Sequence, residues 1–362
     1  MSHLKQFYLS FRLFIVIVFG LSSFPFFSLE AQTTYFYKGR DFGSESLYNP
    51  WNLILNGSYD IIQLNKQRDI GSIPYGIGFR TVTRNLADPF TAIRKYGVKE
   101  FFRDEIFPLT FNKNNGQWYA NYTLHLIGGG MTYRAMKEWY EINHFSSPHI
   151  YSYITMAIYH FGNEVIENQS YDGITADPIA DIYIFDLGGI LLFSSESVCE
   201  FFSSTLNLAD WSLQPSFLLR NGQLHNNGQY FSVRWKFPFW EKWYLLYFFG
   251  INGVTGLSYR FDDGKALSVG YGLTGGTLTV LDELTNKKTL NFVETLAFFY
   301  DDNNSLLTSL LWTRKTDYEM SLNLYPGFLA LGDFKIGAWF VLNRKGHSLF
   351  GITTSYLPGI GL

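Results

Sequence analysis

The chain has 362 residues, of which 19% are aromatic and 16% are charged, and its formal net charge is −3. Because globular proteins usually have roughly 25% charged residues, this composition indicates a surface that faces lipid, and it gives no indication of nucleic-acid binding. No stretch beyond the N-terminal segment has the roughly 18 consecutive apolar residues of a transmembrane helix, which favours a membrane β-barrel over a helical bundle.

Residues 1–31 are predicted to be an export signal. Lys5 and Arg12 give it a basic start, an apolar run occupies residues 13–21, and Ala31 precedes a candidate cleavage point. An uncleaved anchor helix is the alternative, but the apolar run is short and Pro25 would interrupt a longer helix. We therefore expect an exported protein whose mature chain begins near residue 32.

Residues 32–85 are predicted to contain the first barrel strands. The two candidates are WNLILNGSYDIIQL at residues 51–64 and PYGIGFRTVTR at residues 74–84. Both are short runs rich in β-branched and aromatic residues and are bounded by Gly, Asn or Pro, which is typical of strands.

Residues 86–206 are predicted to be a helical insert, because the apolar residues now recur with the spacing of an amphipathic helix. Four helices are expected, at residues 88–108, 131–143, 151–168 and 195–207. Acidic residues and histidines accumulate in this otherwise aromatic and aliphatic region. Such groups are costly to bury unless they pair, bind a metal or line a wet cavity.

His160, Glu164 and Glu167 lie at positions i, i+4 and i+7 of the third helix and share one face. Imidazole and carboxylates at this spacing are candidate metal ligands or an acid/base group. The alternative is a solvated helix face with His160 packed at its edge.

Asp181 lies between apolar neighbours and needs a partner such as Arg134, His125 or an ion. Asp177, four residues earlier, is interpreted as a helix cap. Arg134 and Glu138 are spaced as an i, i+4 ion pair.

Glycines accompany these residues at positions 128–130 and 188–189. Close packing of helix backbones is the favoured explanation, and approach of a ligand is the alternative. Gly129 and Gly188 are therefore also candidate substrate-binding positions, together with Arg134.

Residues 207–362 are predicted to form the C-terminal barrel strands. Large apolar residues alternate with small or polar ones, as expected between lipid and a crowded interior. In residues 265–274 the two faces are Leu267, Val269, Tyr271 and Leu273 against Ser268, Gly270, Gly272 and Thr274. Polar turns such as DDGK and DDNN separate the runs. A soluble β-sandwich is the alternative.

The motif order in residues 118–193 carries a resemblance. A histidine is followed by Asn-Glu-x-x-Glu, then by Asp-x-x-Ala-Asp with Gly-Gly after it. This order resembles uncharacterised exported Gram-negative families predicted to be outer-membrane proteins, and it is distantly similar to VanZ-like domains, although the chain lacks their several spanning helices. The resemblance implies an outer-membrane location and matching positions at His125, Glu164, Glu167, Asp181, Gly188 and Gly189.

The sequence therefore predicts a mainly β protein, an outer-membrane-type antiparallel β-barrel of about 10–14 strands. Its helical insert is expected to plug the lumen or cap the periplasmic mouth, and outer-membrane lipid is the expected partner. One functional hypothesis is a membrane-embedded site acting on an envelope lipid or lipid-linked glycan, with the catalytic candidates His125, Glu164, Glu167 and Asp181. The alternatives are a noncatalytic structural or transport barrel whose polar network holds the plug, and a module that binds an extracellular ligand.

Overall fold

The computed structural model describes residues 34–65, 67–107, 117–282, 287–331 and 334–362. The predicted export signal lies outside the described residues. Helices occupy the chain up to residue 205, and strands follow from residue 209 onward.

The helical region contains α-helices joined by π-helical segments and short 3₁₀ turns. The α-helices are α1 (Pro50–Ser58), α2 (Ile62–Asn65), α3 (Tyr75–Ala87), α4 (Pro89–Tyr96), α5 (Val98–Phe101), α6 (Gln117–Ala120), α7 (Gly130–Ile142), α8 (Pro148–Glu167), α9 (Asp177–Ile179), α10 (Leu187–Phe193) and α11 (Glu196–Glu200). The π segments are Phe102–Ile106, Asn121–Gly129, Ala180–Asp186 and Phe201–Thr205. The 3₁₀ turns are Ser44–Leu47 and Ile70–Ser72.

The described strands form one sheet. They are β1 (Ala209–Asp210), β2 (Ser216–Leu218), β3 (Leu224–His225), β4 (Phe231–Lys236), β5 (Trp243–Phe249), β6 (Asn252–Arg260), β7 (Lys265–Asp282), β8 (Lys287–Asp302), β9 (Ser305–Thr313), β10 (Met320–Leu331), β11 (Phe334–Leu342), β12 (Ser348–Thr353) and β13 (Gly359–Gly361). Each strand from β4 to β13 pairs with the next one in the chain, and the full order is β1-β4-β5-β6-β7-β8-β9-β10-β11-β12-β13-β2-β3. All pairs are antiparallel except β13 with β2. The prediction of a large, mainly antiparallel sheet with a helical region is confirmed, but the prediction of a mainly β protein is wrong, because the described helices contain more residues than the described strands.

The prediction of strands before residue 86 is wrong, because residues 50–58 and 75–87 are helical. The Asn49 side chain accepts a hydrogen bond from the Asn52 amide, and Pro50 occupies the first turn, so α1 has a strong N-terminal cap. α3 packs against α8 at Gly78, where an added Cβ would lie 1.9 Å from the Val165 carbonyl oxygen. Helices are present in all four segments predicted after residue 86, but the first is divided at Gly97, and its last residue, 108, lies outside the described residues.

The outward face of the sheet has many large apolar side chains, whereas its buried face combines small and polar side chains with an apolar core that includes Leu246, Phe248 and Phe299. On β7, Leu267, Val269, Tyr271 and Leu273 are 43–57% exposed, whereas the intervening Ser268 and Thr274 are buried. The outward side chains of β12 and β13 repeat this, since Phe350, Ile352 and Ile360 are 47–56% exposed. The predicted two-residue alternation is confirmed. In these strands the apolar half of the alternation faces outward.

The buried face carries charged and polar contacts. Arg234 donates two hydrogen bonds to Asp301, at 2.6 and 2.9 Å, and both side chains are at most 1% exposed. The Asn323 side-chain oxygen accepts hydrogen bonds from the side-chain amides of Asn226, at 2.7 Å, and Gln214, at 3.2 Å. Such contacts satisfy groups that would be costly to bury alone.

The helical region packs on the other face of β4 and β5. Phe231 and Phe249 join a buried cluster with α7 and α8 residues such as Met136 and Tyr159. Because side chains alternate along β4, Phe231 and Arg234 lie on opposite faces. The described insert residues of this cluster therefore lie against the outer face of β4 and β5, whereas Leu47 and Leu64, which precede the insert, pack on the buried face against Trp211.

Replacing Asp301 with alanine would leave the Arg234 guanidinium buried without its main partner. We expect Asp301→Ala to lower the free energy of unfolding by about 3–5 kcal/mol in a denaturant titration. The control is Asp262→Ala, which removes an exposed pair with Lys242 at 2.7 Å and should cause no measurable change. Equal losses in the two variants would contradict this assignment.

Candidate functional site

Two π-helical segments carry several of the candidate residues. His125 lies in Asn121–Gly129, whereas Asp181 and Asp186 both lie in Ala180–Asp186. π-helical turns are rare and occur frequently at functional sites. Together with residues of α8 and α9, these segments form what we call the polar centre: His125, His160, Glu164, Asp177, Asp181 and Asp186.

Asp186 holds both imidazoles of the polar centre. His125 Nδ1 lies 3.0 Å from Asp186 Oδ1, and His160 Nδ1 is hydrogen-bonded to Asp186 Oδ2. The two rings meet edge to face, with centroids 4.9 Å apart. The other nitrogen of His125, Nε2, lies 3.4 Å from Asp181 Oδ2. His125 therefore connects the two aspartates.

Glu164, Asp177 and Asp181 form a group of three carboxylates, and each offers an oxygen within 4.8 Å of the others. Glu164 is 1% exposed and Asp181 is 5% exposed, while Asp177 is partly exposed. Within the described part of the chain, Glu164 Oε2 and Asp181 Oδ1 have no hydrogen-bond partner. Three adjacent carboxylates cannot all stay ionised here without a compensating charge.

The pKa values of the polar centre reflect this crowding. Burial, followed by the charges of neighbouring aspartates, raises the pKa of Glu164 and of Asp181 well above the usual range. Burial and Glu167 raise the pKa of Asp177 to about 7.

Asp186 behaves in the opposite way, because the two imidazoles outweigh its burial and lower its pKa. Burial favours neutral His125, but the Asp186 charge prevails and raises the His125 pKa. At His160 burial prevails and lowers the pKa. The polar centre thus contains some groups with raised pKa values and others with lowered pKa values, and strongly shifted pKa values are typical of functional sites.

The predicted metal set of His160, Glu164 and Glu167 is divided among different partners. His160 contacts Asp186, and Glu164 lies in the group of three carboxylates. Glu167, one turn further along α8, accepts a hydrogen bond from Lys288 Nζ at 3.1 Å. Its carboxylate is thus directed toward the sheet.

Arg134, a predicted substrate-binding residue, contacts groups other than the polar centre. Its guanidinium pairs with Glu138 at 3.0 Å and with Glu196 at 2.8 Å. Glu138 also accepts hydrogen bonds from the backbone amides of residues 35–37. This network fixes residues 35–37 to α7. The predicted Arg134–Glu138 ion pair is confirmed.

The glycines allow close approach of two helical segments beside His125. An added Cβ at Gly189 would lie 2.6 Å from the Leu126 carbonyl oxygen and 3.1 Å from that of His125. A Cβ at Gly129 would meet His160 Cε1 at 3.2 Å. Close helix packing, the favoured explanation of these glycines, is confirmed. At Gly188 the nearest atom is the flexible Cδ1 of Leu126, at 3.1 Å.

Sequence reasoning missed Asp186 and treated Asp177 only as a helix cap. Asp186 follows Asp181 by five residues, and in an α-helix that spacing directs the two side chains to different faces. In a π-helix the hydrogen bonds join residues five apart, so both aspartates face His125. The available signal was the run of aspartates at 177, 181 and 186 within an apolar segment.

An aromatic cavity of about 520 Å³ lies apart from the polar centre. It is enclosed by residues 37–41, α1, α7, α8 and the turn before β13. Its walls include Trp51, Trp139, Phe145, Tyr151 and Tyr356. A cavity of this size and lining suits an apolar ligand.

Comparison with protein-family models, with curated proteins and with solved structures finds no match to this chain. Among the described helices, none is by itself long and apolar enough to cross a membrane. One bent pair, Asp177–Phe193 with Glu196–Thr205, meets the length and composition of a span, with an angle of 87° between its halves.

The two adjacent glycines of α10 give a matched test of the helix packing. Gly189→Ala places a methyl group against backbone, which cannot move aside, and should lower the free energy of unfolding by about 1–3 kcal/mol. Gly188→Ala meets only a movable side-chain end and should be neutral or stabilising by up to ~1 kcal/mol, because alanine favours helix. Denaturant titration measures both. Similar losses in the two variants would refute the backbone contact.

Proposed function

We propose that the protein is a β-barrel of a Gram-negative outer membrane that anchors the helical region and its polar centre at the lipid bilayer. The observation that carries this proposal is the outward-facing apolar half of the sheet. Exposed Leu, Val, Tyr, Phe and Ile side chains alternate with buried Ser, Thr and Gly. This arrangement is stable where the outer face contacts lipid, and the predicted export signal is consistent with such a location.

Closure of the sheet is supported by residues 209–218, a single chain segment that contains both β1 and β2. Beyond the β1·β4 pair, the Trp211 amide donates to the Tyr230 carbonyl at 2.8 Å and the Leu213 amide to the Gly228 carbonyl at 3.0 Å. The same segment then pairs with β13 through β2. The two ends of the strand order, β1 and β3, thus belong to one hairpin, which supports a sheet closed into a barrel.

If β1 with β2 and β3 with β4 are each counted as one strand, the proposed barrel has eleven strands, within the predicted 10–14. A closed barrel of antiparallel pairs alone needs an even number of strands. The parallel pair β13·β2 permits an odd one. Closure also leaves no long unpaired strand edge in the bilayer, where unsatisfied backbone groups are costly.

Side chains fill the space on the buried face of the sheet, which favours a barrel that acts as a membrane anchor over one that transports a solute. Trp211, Phe248 and Phe299 pack together on the buried face beside the Arg234–Asp301 pair. The cavity between Arg68 and Tyr318 measures only about 40 Å³, which is room for one or two water molecules. Residues that line a conducting pore would instead be solvated.

The lipid contact is tested by two outward residues that are equally exposed. Val269 and Phe261 are each 43% exposed, but Val269 lies within β7 whereas Phe261 lies beside a polar turn. In lipid vesicles we expect Val269→Arg to lower the free energy of unfolding by about 2–4 kcal/mol and Phe261→Arg by less than about 1 kcal/mol. On a water-facing surface both changes would stay within about 0.5 kcal/mol, and that result would exclude lipid contact at β7.

Closure is tested by a disulfide between the first and last strands. Phe217 and Ile360 are paired in the parallel register of β2 and β13. In a Cys199→Ala background, Phe217→Cys with Ile360→Cys should cross-link on oxidation and raise the temperature at which the folded form loses its mobility in a detergent gel. The control pairs Phe217→Cys with Ile352→Cys, one strand further on. The separation of about 9–10 Å that this implies is too long for a disulfide. Absence of the first cross-link in folded protein would argue against closure.

A further inference from the structure

Glu164, Asp177 and Asp181 lie together, and hydrogen bonds within the helical region do not account for the carboxylates of Glu164 and Asp181. Both oxygens of Asp186 are hydrogen-bonded to imidazoles, and Glu167 is held by Lys288. By contrast, Glu164 Oε2 and Asp181 Oδ1 are buried without a hydrogen-bond partner among the described residues. Buried polar oxygens are nearly always hydrogen-bonded, and a bound cation would satisfy both of these.

A fourth donor faces this group from another helical segment. Nε2 of His125 lies 3.4 Å from Asp181 Oδ2, while Nδ1 of the same ring is held by Asp186 at 3.0 Å. In metal sites a ligating histidine almost always hydrogen-bonds its other ring nitrogen to a carboxylate or carbonyl, which fixes the tautomer and the ring orientation. Asp186 therefore leaves Nε2 available as a ligand.

We propose that Glu164, Asp177, Asp181 and His125 bind a divalent transition-metal cation, with Asp186 as the positioning residue behind His125. Three carboxylates with one imidazole suit Mn²⁺, Fe²⁺ or Zn²⁺, because imidazole is a poor ligand for Ca²⁺ and Mg²⁺. His160 is hydrogen-bonded to the second oxygen of Asp186, so it helps to hold Asp186 in place and is not itself a ligand. Glu167 is outside the ligand set.

The position of the four residues satisfies the other requirements of a metal site. A dication offsets the repulsion among carboxylates that share a buried space. Asp177 is partly exposed, whereas Glu164 and Asp181 are buried, so Asp177 marks the side from which a cation enters. The ligands come from α8, α9 and two π segments, so the bound ion would connect these parts of the helical region. This proposal is independent of the location of the sheet in a membrane.

The experiment uses the full chain, folded in detergent, treated with EDTA and then titrated with Mn²⁺, Zn²⁺ or Ca²⁺. We expect one equivalent of Mn²⁺ or Zn²⁺ to bind and to raise the melting temperature, with Ca²⁺ having a smaller effect. Glu164→Gln and Asp181→Asn should each abolish this rise. Because these amides keep the side-chain shape and cannot ionise, both variants should be at least as stable as the parent in EDTA, which separates loss of binding from loss of folding.

The matched control is Glu167→Gln, one turn from Glu164 on α8, which should bind the cation as the parent does. Asp186→Asn should weaken binding by about 10–100-fold while the visible absorption of bound Co²⁺ keeps its bands, since the ligand atoms are unchanged. No binding of Mn²⁺ or Zn²⁺ by the parent would overturn the proposal. So would unchanged binding in Asp181→Asn, loss of binding in Glu167→Gln, or stabilisation by Ca²⁺ alone.

Discussion

The removal of charged groups from water is the constraint on which both parts of this structure depend. On the buried face of the sheet, Arg234 and Asp301 meet the constraint as a bidentate ion pair, in which each group offsets the desolvation of the other. In the helical region, Asp186 meets it by holding two imidazoles. Glu164 and Asp181 have no comparable partner in the described chain and respond with raised pKa values. The contrast separates groups whose partners hold the fold together from the two carboxylates for which we propose a bound cation.

The sheet exposes large apolar side chains on its outer face and buries charged and polar ones on its inner face. Many of its buried polar side chains are hydrogen-bonded to one another beside a buried apolar core, and many further large apolar side chains are exposed on the outer face. Burial of Phe231 and Phe249 under α7 and α8 shows where this outer face is covered by protein. Elsewhere the described apolar face has no protein partner, and under the proposed function lipid covers it. The helical region would then share the bilayer boundary with the strands it covers.

Secondary structure could be predicted from the sequence where apolar residues kept one regular spacing over a long segment. The two-residue alternation of β7 and the helical spacing of α8 each extend far enough to identify the element. At α1 the apolar run was short, and the Asn49–Pro50 cap was the decisive signal that was overlooked. His125, Glu164 and Asp181 were recognised because charged groups among apolar ones are costly. Asp186 was missed because its contribution depends on a local π-helical winding that no spacing rule for α-helices contains.

The π-helical winding and the glycines together explain how the polar centre is assembled. Gly130 and Gly189 allow the backbones of two helical segments to touch, with the Leu126 carbonyl oxygen only 2.6 Å from where a Gly189 side chain would begin. Such close approach brings His125 on one segment within reach of Asp186 on the other. The wider π turn then directs Asp181 to the opposite nitrogen of the same ring. The orientation of His125 is therefore set by backbone packing as well as by hydrogen bonds, so a change at Gly189 alters the centre without altering any of its charged residues.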